Sequence, residues 1–517
     1  MKKFIGAELF FESLYNLGIR IIFGLPGGYV LKIYDVMPSY ASKVKHILTR
    51  HEQAATHMAD GFSRASGLPG IILCTSGPAA TNTVTGISTA YMDSVPVLIF
   101  TGQVPTPFLG SDAFQEADHI GITRSCTKHN TLVRKTKDLP KAMAEALYIS
   151  TTGRKGPVLV DMPKDVILGE SDFKIPNKIK LSSYDENPTL IKRDLNSLKA
   201  RLSKSKKPLL ILGRGSCEDE NIKNIKAFIR RFKIPTLTSV MALGLVEDSD
   251  YCFGMLENDI TSVSYELIEQ SDNIIVVGCD LNKIIPKAVL KNKKLTIVDI
   301  DKAMMNPTVE SNLNIYCSST SFFEKTKDEL EPLEFEWEKE YLSKLLSKNL
   351  LNNKKVISNN KKAAIFAMLS ELLKGEAVVC SDFSYEDVNL QKFIKFNNYK
   401  NNILSGGNGT PGYGFPAAIG AKFSRPKSKV ISISSGNNFQ FNMQEIIVAL
   451  EQKLDLTIIV LNERFSDKKA KYKGPNFKSI GESFGAKSFQ FNMDASLKSN
   501  LSKSLNRKGV VLIEVRI

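Results

Sequence analysis

Apolar residues fall along this chain in short runs, each closed by glycine, proline or serine. Residues 19–23 form the first such run, rich in β-branched side chains, which predicts a buried strand. Gly24-Leu25-Pro26-Gly27-Gly28 then ends it with residues that tolerate tight or positive-φ turns. Residues 71–75 repeat the pattern, followed by Ser76-Gly77-Pro78 and a segment of small residues that reads as a helix. Residues 95–101 do so a third time. Strand, glycine turn and helix in alternation predict an α/β fold, a doubly wound parallel sheet with helices on both faces. Ligands of such sheets sit beyond the C-terminal strand ends, where these turns lie.

With 517 residues the chain is too long for one core. The first domain is expected over residues 1–170, ending after the strand 158–161 and Pro163-Lys164-Asp165. Residues 171–190 are polar, contain Pro176 and Pro188, and read as a linker. A second α/β domain is expected over 190–330, with strands at 208–212, 273–277 and 295–299. Residues 331–360 are charged and Asn/Lys-rich, with helical spacing around Trp337 and Leu342, and read as a second linker. The third domain, 361–517, has strand candidates at 377–380, 430–434, 456–461 and 510–515. No sequence repeat is visible.

The net charge of +15 raises nucleic acid as a partner. The lysines are spread out, often beside asparagine, as in Asn352-Asn353-Lys354-Lys355, with no interleaved aromatics. That pattern is a solvated surface and not a base-stacking platform. The seven cysteines stand singly, without a C-x-x-C pair, as expected of reduced thiols in a cytoplasmic protein. No apolar run approaches the roughly 18 residues of a membrane span. Met1-Lys2-Lys3-Phe4 leads into no apolar h-region, so no signal peptide is expected. All five histidines precede residue 130, which excludes a His-based metal site further on.

The densest information lies in Arg50-His51-Glu52-Gln53-Ala54-Ala55-Thr56-His57-Met58-Ala59-Asp60-Gly61 and its neighbours. Before it stands Ile22-Phe23-Gly24-Leu25-Pro26-Gly27-Gly28. After it come Thr75-Ser76-Gly77-Pro78-Ala79-Ala80-Thr81-Asn82, Thr101-Gly102-Gln103-Val104-Pro105-Thr106 and Asp112-Ala113-Phe114-Gln115-Glu116-Ala117-Asp118. This ordered series resembles the catalytic (large) subunit of acetolactate synthase, a thiamine-diphosphate (ThDP) enzyme. One glycine turn is weak evidence of descent, whereas five ordered motifs are strong.

The resemblance implies three domains of the ThDP-enzyme type: pyrimidine-binding, central (FAD-type) and diphosphate-binding. It implies ThDP-dependent decarboxylation of pyruvate or another 2-oxo acid, with carboligation to an acceptor, as in branched-chain amino-acid biosynthesis. Glu52 matches the glutamate that hydrogen-bonds the aminopyrimidine and drives formation of the C2 ylid. A carboxyl suits that task because it shares a proton with a ring nitrogen in a dry site. An isolated Glu here would instead read as a helix first-turn residue favoured by the macrodipole. Gly27 matches the turn that approaches the reacting centre, and an ordinary strand-to-helix turn would use the same residue. Phe114, Gln115 and Lys128 match the substrate channel, with a packed loop as the alternative. Pro26, Gly77, Asn82, Gly412, Asn437 and Asn438 fall on cofactor-facing motifs, and Arg154, Lys164 and Asp299 on positions matched to FAD and the channel.

The diphosphate half departs from the family. Ser435-Gly436-Asn437-Asn438 stands over Gly-Asp-Gly-Ser, so Gly436 replaces the Asp that binds Mg²⁺, and Glu463 replaces the second metal-binding Asn. Mg²⁺ commonly uses one or two carboxylates beside phosphate, and Glu463 is the replacement metal candidate. Ser384-Tyr385-Glu386 replaces a Gln-His-Gln run, Pro411 the methionine that bends ThDP, and residues 464–475 a longer lid. The family's tail after the last strand is not seen. Gly213-Arg214-Gly215 and Gly278-Cys279-Asp280-Leu281-Asn282-Lys283 depart from the FAD motifs, whereas Val298-Asp299-Ile300-Asp301 is retained. Two readings stay open. One is an active acetolactate-synthase-like homodimer or homotetramer. The other is a non-catalytic or partner-dependent subunit, with mixed oligomers with an intact paralogue as one form it could take.

Overall fold

Apolar runs buried on both faces build three six-stranded sheets in this computed structural model. It describes residues 3–517 except 177, 183, 248, 258, 282–284, 286, 291–292, 306–309, 383–388 and 464–473. The chain divides into two compact units. One comprises Met1–Tyr184, Ala377–Tyr385 and Ile403–Ile517, the other Asp185–Glu376 and Glu386–Asn402.

The first unit holds two sheets. The first runs, edge to edge, Lys45–Leu48, Ile21–Gly24, Gly70–Cys74, Val97–Gln103, Val158–Pro163, His129–Leu132, with parallel pairings. The other runs Asn402–Leu404, Val378–Ser381, Val430–Ser435, Leu456–Asn462, Val510–Arg516, Lys487–Asn492. Both follow one order: second strand, first, third, fourth, sixth, fifth. The repeat invisible in sequence is therefore present in topology. In each sheet the winding reverses between the first and third strands, and ligands of open α/β sheets bind at such reversals. In the first sheet that point lies between the turns after Gly24 and Cys74. In the other it lies between Asp382 and the Ser435-Gly436 turn.

Two helices join the sheets into one core. Helix Glu52–Ser66 packs on helix Gly414–Ser424 through glycines. A methyl group at Gly61 would stand 2.1 Å from the Ala417 carbonyl oxygen, and one at Gly420 only 1.8 Å from that of Met58. The apolar cluster around them takes Phe23, Ile72 and Ile99 from one sheet and Val378, Val430 and Ile458 from the other.

The second unit holds a sheet ordered Cys252–Met255, Thr236–Thr238, Pro208–Leu212, Asn273–Val277, Lys294–Asp299, Leu313–Tyr316, all parallel. Residues 331–360 carry the expected helical spacing, but they are not a free linker. Helix Lys339–Asn359, 21 residues long, buries Leu342 and Leu345, and the Trp337 indole donates to the Pro208 carbonyl at 2.8 Å. An apolar stripe too sparse to read as a core helix still buries one face. The other expected linker begins with Glu170–Asp172, which pairs antiparallel with Lys3–Ile5.

Candidate active site

The first-sheet reversal gathers most of the residues singled out near the N-terminus. Glu52 opens its helix, capped by His51, whose Nδ1 accepts the Gln53 N–H at 3.1 Å. Asn82, the last residue of helix Pro78–Asn82, donates its side-chain amide to Glu52 Oε2 at 2.9 Å. Gly77 precedes that helix at φ +58°, and its Cα side lies on the backbone of Gln115. A side chain there would meet the Gln115 carbonyl oxygen at 2.7 Å, so the position needs glycine on both counts. Gln115 itself sits at φ +59°.

The turn carrying exposed Pro26 and half-buried Gly27 is stitched to the same place. Gly27 lies so close to Thr75 that an added methyl would stand 2.3 Å from the threonine methyl. Thr75 Oγ1 accepts the Tyr29 N–H at 3.1 Å, and the Tyr29 hydroxyl donates to the Phe114 carbonyl at 2.7 Å. Lys164 Nζ stands 5.9 Å from the centre of the Tyr29 ring, within cation–π reach. Phe114 projects its ring outward, 81% exposed. Glu116 clamps this loop by accepting the N–H groups of Gly110 and Ala113, which hold its carboxyl below the usual range.

Lys128 and Arg154 are engaged elsewhere. Lys128 Nζ donates to the carbonyls of Ile149 and Thr152 and to the Tyr184 hydroxyl. It thus caps the C-terminal end of helix Leu139–Thr151, where cations are favoured. In this chain the Lys128 ammonium is held by these three acceptors. Arg154 Nε donates to Ser94 Oγ at 2.9 Å, with its guanidinium over the Tyr91 ring.

The reversal of the other sheet brings Gly412, Gly436, Asn437 and Asn438 together. Gly436 opens the short helix Gly436–Phe439, with Ser435 Oγ accepting the Asn438 N–H at 3.2 Å. Asn438 Nδ2 donates to the Asp382 carbonyl at 3.0 Å, and Asn437 is exposed. Gly412, at φ +78°, accepts Asn442 Nδ2 at 2.8 Å. Burial pushes the Asp382 carboxyl up to about 7.

Gly436 supplies no side-chain oxygen to a cation. Beside it a methyl group would stand 2.9 Å from the Phe477 ring and 3.6 Å from Asn462 Oδ1. Asn462 Nδ2 donates to Glu514 at 2.8 Å, and buried Glu514 also accepts from Lys478 N–H and Arg516 Nε, each at 3.1 Å. Glu463 is exposed just past the strand end. Among the described residues no three His, Cys, Asp or Glu side chains converge as a metal site. Ser384-Tyr385-Glu386, residues 464–473 and Asn282-Lys283 lie outside the described residues.

In the other unit, Asp299 ends its strand and accepts the Asp301 N–H at 2.9 Å. The Gly213 and Gly278 turns pack on one another, with the Gly215 N–H donating to the Gly278 carbonyl at 3.0 Å. Sequence reasoning passed over Tyr29 and His119. Tyr29 directly follows the Gly27-Gly28 pair, and that adjacency was its one available signal.

The two reversals match the two thiamine pyrophosphate domains of a known enzyme class. Residues 5–122 match the thiamine pyrophosphate enzyme N-terminal TPP binding domain, 195–326 its central domain, and 387–515 its C-terminal TPP binding domain. The acetolactate synthase large subunit of Buchnera aphidicola (from Acyrthosiphon pisum) is 34% identical over 557 aligned positions, covering 100% of this chain and 95% of that protein. That of Haemophilus influenzae is 34% identical, with 100% and 95% covered. The acetolactate synthase isozyme 3 large subunit of Escherichia coli is 32% identical, with 98% and 93% covered. The chain belongs to the acetolactate synthase large-subunit family of ThDP enzymes. No helix among the described residues is long and apolar enough to cross a membrane.

Proposed function

We propose that this chain takes part in ThDP-dependent decarboxylation of pyruvate or another 2-oxo acid, with carboligation of the acyl unit to an acceptor. The observation that carries the reading is the Glu52 carboxylate, set at a sheet reversal and oriented by Asn82 at 2.9 Å. Bound ThDP would supply the carbanion chemistry. Glu52 would hold and exchange a proton with the aminopyrimidine ring nitrogen. Asn82 holds one carboxylate oxygen, and Gly27 and Gly77 keep side chains out of the approach. Phe114 and Gln115, locked by Tyr29 and Glu116, would line the route of the 2-oxo acid, with Lys164 as a cation for its carboxylate.

A second reading is favoured by Gly436. Its turn lacks the carboxylate that Mg²⁺ commonly takes beside phosphate, and the Phe477 ring lines the space. These residues fit a diphosphate-bound Mg²⁺ poorly, and Glu463, exposed just past strand Leu456–Asn462, is the carboxylate proposed to replace it. On this reading the chain is partner-dependent. It contributes Glu52 to a mixed oligomer, in the cytoplasm, whose other member is an intact paralogue with a complete metal site. FAD belongs to either reading only as a structural cofactor, with Arg154 and Asp299 as the retained residues.

One experiment separates the two. The chain is co-purified with an acetolactate synthase whose own catalytic glutamate is replaced, so that only mixed sites can act. Turnover of pyruvate by the mixed oligomer, lost on Glu52→Gln, supports the partner-dependent reading. Turnover by this chain alone, with ThDP affinity that falls in EDTA, supports the self-sufficient enzyme. Silence in both arms leaves neither catalytic reading standing.

A further inference from the structure

Two buried hydrogen bonds run from the core of the first sheet to the Glu52 cluster through a histidine. The Gly77 N–H points at His119 Nε2, 3.2 Å away, and His119 Nδ1 lies 3.0 Å from Asp161 Oδ1. His119 and Asp161 are 2% and 1% exposed, so no water competes for these contacts. Asp161 is itself fixed by Thr101 Oγ1 at 2.7 Å and Gln103 Nε2 at 3.0 Å. A backbone N–H can only donate. Nε2 therefore carries the lone pair, the ring proton sits on Nδ1, and Nδ1–H donates to Asp161.

The other end of the line is the site. Gly77 starts the short helix whose last residue, Asn82, holds Glu52, and the same Gly77 lies against the Gln115 backbone. We propose that His119 is a positioning residue. In its Nδ1–H tautomer it anchors the Gly77 turn to Asp161, and so fixes both the Asn82–Glu52 pair and the Gln115 loop for the pyrimidine ring of ThDP. The proposal rests on the reading of Glu52 above.

Glutamine and asparagine distinguish its two bonds. His119→Gln places an amide oxygen near the Nε2 position and keeps the acceptor for Gly77. His119→Asn keeps a donor for Asp161 and loses that acceptor. ThDP binding is read by calorimetry, exchange of the Gly77 amide by hydrogen–deuterium mass spectrometry, and the ring tautomer by ¹⁵N spectra of the five histidines. His119→Asn is expected to weaken ThDP binding about tenfold and to speed Gly77 exchange, the size of one lost buried hydrogen bond. His119→Gln is expected to stay within about twofold of the parent, both variants melting cooperatively. A proton found on Nε2 in the parent, or equal behaviour of the two variants, overturns the proposal. If the parent alone binds no ThDP, the self-sufficient reading of Glu52 fails, and the binding comparison is made in the mixed oligomer. Gly77 exchange and the tautomer then still decide whether His119 anchors the turn.

Discussion

Tyr413 donates its hydroxyl to the carboxylate of Asp60, and both side chains are wholly buried. The bond crosses from the helix Gly414–Ser424 end of one sheet to helix Glu52–Ser66 of the other. Asp60 also takes Arg64 Nε at 2.6 Å, and Arg64 Nη2 reaches Asp93 at 2.7 Å. Asp93 in turn accepts the N–H groups of Gly406 and Gly407, at 2.9 and 2.6 Å. Two carboxylates and one guanidinium leave a net buried negative charge, which the phenol and the two backbone donors spread.

Tyr413→Phe removes one donor to a charged acceptor and should cost about 1.5–3 kcal/mol. Arg64→Met strands two buried carboxylates and should cost about 3–5 kcal/mol. Urea titration of both variants checks the order. Equal midpoints for Arg64→Met and the parent would show that the backbone donors suffice.

Gly420→Ala tests the helix contact that carries Glu52. The new methyl would stand 1.8 Å from the Met58 carbonyl, which is backbone and cannot rotate away. The helices must part, at a cost of about 1–3 kcal/mol or more. Gly28→Ala, where nothing lies within 4 Å, is the matched control. A thermal midpoint lowered in the first and retained in the second is expected.

The legible parts of this fold are the strands buried on both faces. Pro208–Leu212 and Asn273–Val277 fall where their apolar runs predict. The strands Lys45–Leu48, His129–Leu132 and Lys487–Asn492 escape such reading because they lie at sheet edges and mix polar with apolar residues. Glu52 and Asn82 are each readable from motifs, but their hydrogen bond is not, because it joins two turns across a reversal. The Asp60–Arg64–Asp93 cluster is hidden for a related reason. Charged residues on a helix face read as solvent-facing until the opposite helix is known to cover them. Lys128 shows the converse, a motif residue whose ammonium local structure has claimed as a helix cap.

Glu445 should set an alkaline limb to stability. It is wholly buried, and both carboxylate oxygens lie near the Arg50 N–H, at 3.1 and 3.2 Å. Burial raises its carboxyl from an ordinary 4.5 to about 8, against the opposing pull of that N–H. Between these values the folded chain holds a proton that the unfolded chain has released. The contribution is therefore greatest below about 4.5, declines as pH rises to about 8, and is level beyond. His57 works in the opposite sense. Burial lowers it from 6.5 to about 3, so its contribution is full above 6.5 and is lost as pH falls toward 3. Glu445→Gln should flatten the fall in unfolding free energy between pH 5 and 8, measured in urea at fixed salt, and leave the acid limb in place. An unchanged slope would assign the alkaline limb to other groups, Asp382 first among them.

The Gly436 turn carries the sharpest prediction, because an aspartate placed there alone should not create a Mg²⁺ site. An aspartate there would sit at the first position of a helix, without left-handed strain, where a carboxylate is favoured. Its Cβ, however, would stand 2.9 Å from the Phe477 ring. Gly436→Asp alone should therefore lose about 1–3 kcal/mol of stability and gain little Mg²⁺-dependent ThDP affinity. Adding Phe477→Leu removes the ring atoms in the way. The double variant should bind ThDP at least about tenfold more tightly with Mg²⁺ than with EDTA, one charge-assisted contact's worth. Calorimetry of the parent, both singles and the double reads this directly. Full Mg²⁺ dependence in Gly436→Asp alone would show that Phe477 yields. Its absence from the double would show that this half of the site lacks more than one carboxylate.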